Sequence, residues 1–300
     1  MYPSNQQTAT SKRTAFKHSK VHQWLLLAAG LLFLNSAGAG HLPLWELGGG
    51  IGFLDTPHYR GSTQSEQYFV PFPYMVYRGE KLKADREGIR TELWETEDFT
   101  LDMSFAANVP VAGDASETRQ GMPDLDLVLE AGVSADFGIW HQHSQDLEQK
   151  FLLKLPLRAV VSIGDPVMTY RGFVFSPYIQ LQNKLSYANA IWRYYISIGP
   201  IYATENYHDY FYEVENKYAT AQRPAYDAKG GYSGSRITLS FTRNTDKIYL
   251  GVFARYDHLG SAVFEDSPLV QTNDYFVLGV VASWIFTRSS ERAANHGSTD

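Results

Sequence analysis

Leu125-Asp-Leu-Val-Leu-Glu-Ala-Gly-Val-Ser-Ala-Asp136 decides how this chain is read. Leu125, Leu127, Leu129, Ala131, Val133 and Ala135 share one face of an extended strand, while Asp126, Glu130, Ser134 and Asp136 share the other. Successive side chains of a strand point to opposite sides, so a period of two sorts residues by face. One face here is apolar throughout, and the other carries charge.

The same design recurs along the chain. Phe151, Leu153, Leu155, Leu157 and Ala159 alternate with Lys154, Pro156 and Arg158. Phe173, Phe175, Ile179 and Leu181 alternate with Ser176, Tyr178, Gln180, Gln182 and Lys184. Ile237, Leu239 and Phe241 alternate with Arg236, Thr238, Ser240 and Thr242, and Phe276, Leu278, Val280, Ala282, Trp284 and Phe286 make a last apolar face. Strands are expected at 45–53, 67–78, 82–95, 99–107, 125–136, 150–161, 172–185, 191–202, 235–243, 248–258 and 274–286. Bacterial single-chain membrane barrels have an even number of strands. A turn at Glu87-Gly88 that splits 82–95 gives twelve, with ten as the alternative.

Alternation fits two architectures. In a soluble sandwich or lipocalin-like barrel the apolar face is the core; in a membrane barrel it faces lipid and the polar face lines the lumen. Three features favour the membrane: an export signal, segments of about ten residues, and aromatics near strand ends. Tyr68, Tyr74, Tyr77, Tyr187, Trp192, Tyr202, Tyr256, Tyr275 and Trp284 are the candidates for interfacial girdles. The expected fold is therefore all-β, a transmembrane antiparallel up-and-down β-barrel. Tight turns at Arg78-Gly-Glu80 and Asn244-Thr-Asp-Lys247 contrast with long connections at 54–66, 108–124, 203–234 and 259–273.

The ends agree. Lys12, Arg13, Lys17 and Lys20 precede the apolar run Trp24–Leu34, and Ala37-Gly-Ala39 fits a cleavage site. Residues 1–39 are read as a signal peptide, 40–286 as the barrel and 287–300 as a polar disordered tail. Without 1–39 the 26 basic residues fall by four to 22 against 32 acidic ones, a net charge of −10. Nucleic-acid binding depends on Lys and Arg neutralising phosphates, so this balance argues against it. The mean hydropathy of −0.28 excludes a helical membrane protein, and zero Cys rules out both a lipid-anchored lipoprotein and a disulfide framework.

Several motifs resemble the MipA/OmpV family of Gram-negative outer-membrane proteins, in order from about Trp45 to Phe286. They are Gly48-Gly-Gly-Ile-Gly-Phe53 with Pro57-His-Tyr-Arg-Gly-Ser62, Pro71-Phe-Pro-Tyr-Met-Val-Tyr-Arg-Gly79, Arg119-Gln-Gly-Met-Pro-Asp-Leu125, Leu155-Pro-Leu-Arg158, Asn206-Tyr-His-Asp-Tyr-Phe-Tyr-Glu-Val214, Arg223-Pro-Ala-Tyr226 and Asp266-Ser-Pro-Leu-Val270. Gln120 replaces the family's Lys, and 14 residues follow Phe286, the aromatic in the position where members usually finish. The resemblance implies outer-membrane lipid and the barrel-insertion machinery as partners. It also implies either a scaffold joining a lytic transglycosylase to a bifunctional murein synthase, or a porin-like, osmoresponsive or adhesive role. The scaffold is the preferred expectation, with no catalytic activity.

Signals for chemistry are weak. Gly48–Gly52 lacks the Lys-Ser/Thr of a phosphate loop. His141-Gln-His143 has no third ligand nearby in sequence, where closed zinc sites take four. Ser267 beside Asp266, with His258 upstream, lacks a G-x-S-x-G setting and reads as a structural turn. No cofactor or metal is expected. Asp102, Asp126, Glu130, Lys154, Arg158, Gln180, Lys184, Arg193, Arg236, Arg255 and Asp257 are the candidate lumen lining, either paired into a plug or setting the selectivity of a pore. Tyr207, Tyr210, Phe211, Tyr212, Tyr218 and Tyr226 make the candidate partner-binding loop, with the alternative that this loop folds back to plug the barrel.

Overall fold

The computed structural model describes residues 43–78, 83–85, 88–90, 94–96, 98–188 and 190–291. The expected signal peptide and residues 292–300 lie outside them.

Antiparallel strands dominate: β1 (Trp45–Pro57), β2 (Ser65–Arg78), β3 (Lys83–Asp85), β4 (Gly88–Arg90), β5 (Trp94–Glu95), β6 (Phe99–Asn108), β7 (Leu127–His143), β8 (Leu147–Ile163), β9 (Thr169–Phe175), β10 (Tyr178–Tyr187), β11 (Ala190–Ala203), β12 (Gly231–Asn244), β13 (Ile248–His258) and β14 (Asp274–Arg288). They form one fourteen-stranded sheet in which most neighbours in sequence pair and β1 pairs with β14. The hydrogen-bonded path starts at β4 and ends at β5, which adjoin in the chain, and β4 lies against β6. A meander whose first and last long strands pair has no free edge there, which is what a sheet in lipid requires. No described helix is long and apolar enough to cross a membrane.

The interruptions have local causes. β9 and β10 follow one another between β8 and β11, broken at Ser176-Pro177 because proline has no N–H for the ladder. The expected strand 82–95 is divided: β3 pairs with β4 across Asp85 and Gly88, and of the expected turn Glu87-Gly88, Gly88 begins β4 while Glu87 lies outside the described residues. β7 runs on to His143, so His141 and His143 stand in a strand. β14 passes Phe286 to end at Arg288, two residues into the segment expected to be a tail.

Adjacent residues on β8 settle which face is which. Leu157 is 47% exposed and Arg158 is 8% exposed. Val133, Ile196, Leu239, Val252 and Val280 are likewise exposed, whereas Glu130, Gln180, Arg193 and Asp257 are buried. Apolar side chains outside and charges inside invert the order of a soluble core and match a barrel whose solvent is lipid. The outer belt is continuous in register, with Val133 opposite Leu157, Ile196 opposite Leu239 and Val252 opposite Val280.

The aromatic girdles differ from expectation in membership. Tyr68, Tyr74 and Tyr275 are buried and point inward, because they share the parity of the lumen face. Tyr77, Tyr187, Tyr202 and Trp284 do face out, joined by Trp140, Tyr170, Phe276 and Phe286. Leu127, at the start of β7, is only 4% exposed, so protein covers it although it has the parity of the outward face.

All long connections gather at one end. Residues 58–64, 109–126, 164–168, 204–230 and 259–273 join strand ends there, while 144–146, Ala188, 245–247 and the described chain ends lie at the other.

Candidate functional site

The long connections pack into a cap over one mouth of the barrel. Its framework is the helix α1 (Glu205–Tyr212), inside the segment expected to be loop. Buried Tyr207, His208, Phe211 and Tyr212 are spaced so that one helical face carries all four. That face meets Tyr59, Val111, Met122, Leu259, Phe264 and Leu269 in a hydrophobic cluster drawn from four separate connections. The ring of Tyr212 lies 3.7 Å from that of Phe264, tilted by only 8°.

Polar contacts lock the cap. Arg119 donates to the carbonyls of Phe211 at 3.0 Å and Pro123 at 3.3 Å. Arg223 donates to those of Tyr218, Thr118 and Gln120. Tyr59 Oη donates to the Leu269 carbonyl at 2.8 Å, and Tyr212 Oη to that of Arg60 at 3.0 Å. Gly61, at φ +91°, takes a left-handed turn that lets its carbonyl accept from both Gln271 and Thr272. Ser267 Oγ donates to the Tyr212 carbonyl at 2.8 Å and accepts from the Leu269 N–H. Ser267 is therefore a buried structural turn residue, and His258 is engaged elsewhere, 2.7 Å from Asp274 on the exposed rim.

His208 is fully buried and fixed in one tautomer. Its Nδ1 faces the Lys229 carbonyl at 2.5 Å and must donate, so Nε2 accepts from Ser233 Oγ at 3.1 Å. Ser233 Oγ in turn accepts from Arg60 at 2.8 Å. Burial pushes the imidazole pKa down to about 4; the Lys229 carbonyl opposes this and the Arg60 charge adds to it. Its neighbour Asp209 is pushed up to about 6 by burial, then by Glu213, Glu205 and Asp227.

The six aromatics expected to form a partner surface mostly face inward. Tyr207, Phe211 and Tyr212 are core residues of the cap and are closed to a partner. Tyr210 accepts a hydrogen bond from the Asp126 N–H at 2.6 Å and lies under the Arg171 guanidinium at 4.1 Å. Tyr226 reaches the Val263 carbonyl, and Tyr218 is half-buried beside Lys217.

Below the cap, ten of the eleven candidate lumen residues lie within the described strands. Arg158 pairs with Glu130 at 2.8 Å, Lys154 with Asp136 at 2.6 Å and Lys184 with Glu148 at 3.1 Å. Asp257, with no exposed surface, receives Arg236 and Arg255 at 2.9 Å each and Arg60 at 3.6 Å. Gln180 is buried on the same wall, and Asp102 is half-buried on β6. Asp126 is the exception: it precedes β7, and its carboxylate packs against Gly164 at the edge of the cap rather than in the lumen. The residues that the sequence did not single out are Arg60, His208 and Ser233, and Tyr275 stands here and not in the expected girdle. Arg60 and His208 stood within the quoted motifs Pro57–Ser62 and Asn206–Val214.

A cavity of about 300 Å³ remains beside these pairs, lined by Arg158, Arg193, Arg236 and Arg255 among hydroxyl and amide side chains. His141 and His143 stand with ring centres 6.4 Å apart, and no group of three metal-ligating side chains converges among the described residues.

The model of the family described as MltA-interacting protein MipA matches residues 47–286. The chain belongs to the MipA family. A MipA-family relative, "Outer membrane protein Omp26La" of Vibrio anguillarum, is 24% identical over 224 residues, covering 70% of this chain and 76% of its own. Among solved structures, outer membrane phospholipase A of Escherichia coli covers 86% of this chain and 97% of its own at 11% identity and a TM-score of 0.32. An outer membrane channel of Pseudomonas putida F1 covers 84% and 100% at 13% identity and a TM-score of 0.31. This MipA-family chain is an outer-membrane protein.

Proposed function

We propose that this MipA-family barrel is a non-enzymatic scaffold that holds a lytic transglycosylase and a bifunctional murein synthase together at the outer membrane. The family description, which names an MltA-interacting protein, supports the first partner. The observation that carries the reading is the cap: a hydrophobic cluster from four connections fills the loop end of the barrel, which opposes free passage. A closed barrel suits a platform better than a channel.

The same geometry moves the docking surface. Outer-membrane barrels place short turns in the periplasm and long loops outside. Periplasmic partners then meet the turn end, with Ser144–Asp146, Thr245–Lys247 and the chain ends, and not the tyrosine-rich cap. The porin-like alternative draws support from the 300 Å³ arginine-lined cavity, which would need the cap to open.

Crosslinking and pull-down of the tagged protein from native envelopes test the scaffold. Recovery of both murein enzymes above an unrelated barrel is expected, with loss when a bulky peptide is inserted at Gln145 and retention when it is inserted at Ala221. Recovery of neither enzyme sinks the reading, and loss only on insertion at Ala221 returns the docking surface to the cap.

A further inference from the structure

We infer that the lumen cavity is a binding site for a small sugar anion, a sugar acid or sugar phosphate, held by arginines whose charge the barrel leaves partly uncompensated. The charge balance is local. Arg60, Arg236 and Arg255 converge on Asp257, the one carboxylate within ion-pair reach of the three among the described residues. Three guanidiniums against one carboxylate leave two positive charges at the roof of the lumen. Arg158, on the facing wall, is matched by Glu130 and adds no imbalance. Tyr207, Tyr212 and Tyr275 are the neighbouring phenols; burial raises the pKa of Tyr212 and takes that of Tyr207 to about 12, so neither supplies negative charge at neutral pH.

Buried charge without a counter-charge is costly, so this arrangement favours an anion beside it. The excess borders real space. Arg236 and Arg255 line the 300 Å³ cavity with Arg158 and Arg193, and among the described residues no carboxylate lines it. Its volume is at the lower bound for small-molecule sites, which span about 300–1,000 Å³. A guanidinium presents a planar fork that matches carboxylate and phosphate oxygens. Gln180, Gln182, Ser197, Thr238 and Ser240 add amides and hydroxyls along the wall, and Tyr178 adds an aromatic face. That mixture suits a polyhydroxylated body attached to an anionic group. The site lies under the cap and is independent of the docking surface proposed above.

Calorimetric titration of the full chain, purified from outer membranes in detergent, tests it with glucuronate, glucose 6-phosphate and uncharged glucose. Saturable binding of at least one anion and none of glucose is expected, and whichever anion binds identifies the group recognised. Arg255→Gln should weaken binding roughly tenfold or more, since a hydrogen bond to a charged group contributes about 1.5–3 kcal/mol, while Asp257 keeps Arg236 and Arg60. Thr238→Glu and Thr238→Lys place side chains of similar length in the same wall with opposite charge. The first should weaken binding and the second strengthen it, with heat-dependent gel mobility reporting that each barrel is folded. Absence of saturable binding by the folded wild type overturns the proposal, as does an equal effect of the two Thr238 variants.

Discussion

Tyr212 and Phe264 stack nearly parallel at 3.7 Å, joining a helix that follows β11 to a loop that follows β13. Both rings are buried, and Phe264 also lies 4.7 Å from the His208 ring. This contact couples two connections that share no strand pairing, so the cap folds as one body over the barrel. Phe264→Ala should cost about 3–5 kcal/mol of cap stability, the usual range for emptying a buried phenylalanine site. Because the strand ladder does not pass through Phe264, the barrel itself should survive. The expected outcome is rapid protease cleavage within 204–230 and 259–273 with unchanged heat-modifiable mobility; resistance equal to wild type would remove the cap's claim to be a cooperative unit.

Ser267 lies at the same junction. Its hydroxyl is the donor to the buried Tyr212 carbonyl, so Ser267→Ala leaves that acceptor unsatisfied, at a cost of about 1–3 kcal/mol. A structural serine predicts loosened proteolytic protection with no change in any ester-hydrolysing activity of the preparation. Activity that disappears with Ser267→Ala while protection stays intact would reverse this assignment.

Acid should open the cap through His208. Its folded pKa of about 4 lies below the ordinary value of 6.5, so the unfolded chain binds the proton more readily. Stability present above pH 6.5 is therefore lost as pH falls toward 4, up to about 3 kcal/mol for a shift of that size. Asp209 acts in the opposite sense: its pKa, raised to about 6, contributes stability in full below 3.8 that is lost as pH rises through 6. Asp209 is partly exposed, so solvent screening reduces its share and the His208 effect dominates. Thermal unfolding of the cap, followed by near-ultraviolet circular dichroism at pH 7.5 and 4.5, should show destabilisation in acid. His208→Gln, which keeps a donor and an acceptor, should abolish that loss and leave the small opposite trend of Asp209. Acid sensitivity unchanged in His208→Gln would assign it to another group.

The strands were legible in the sequence because a period of two survives in any strand with one apolar face. β13 spans the expected 248–258 residue for residue, and Glu130, Arg158, Arg236 and Asp257 occupy the expected lumen side. Nearness to a strand end, however, does not distinguish a girdle aromatic from a lumen aromatic: Tyr68, Tyr74 and Tyr275 stand near strand ends but have the parity of the lumen face. The helix α1 was hidden by composition: His208, Tyr207, Phe211 and Tyr212 carry helical spacing, but a run of aromatics reads equally well as a binding loop. The end of β7 was missed because Trp140-His-Gln-His143 continues pairing with β8 after the apolar alternation has stopped. The Arg60–Asp257 contact joins residues far apart in the chain and depends on β14 pairing with both β1 and β13, which no local pattern encodes.

The inverted order of faces gives the most direct test of the membrane register. Leu157 stands mid-strand on the outer belt opposite Val133, while Arg158, one residue on, is buried against Glu130. An arginine on the lipid face near the bilayer midplane costs about 2–4 kcal/mol. Leu157→Arg should therefore lower the folding free energy in lipid vesicles by that amount, measured by denaturant titration with tryptophan fluorescence. Leu127, only 4% exposed at the strand's start, is unsuitable for this test because a charge there meets protein rather than lipid. Arg158→Ser, at the neighbouring lumen position, acts through protein instead of lipid: it leaves the buried Glu130 without its ion-pair partner, at a cost of about 3–5 kcal/mol. Unchanged folding of Leu157→Arg would place β8 one residue out of register, turning every face on the strand.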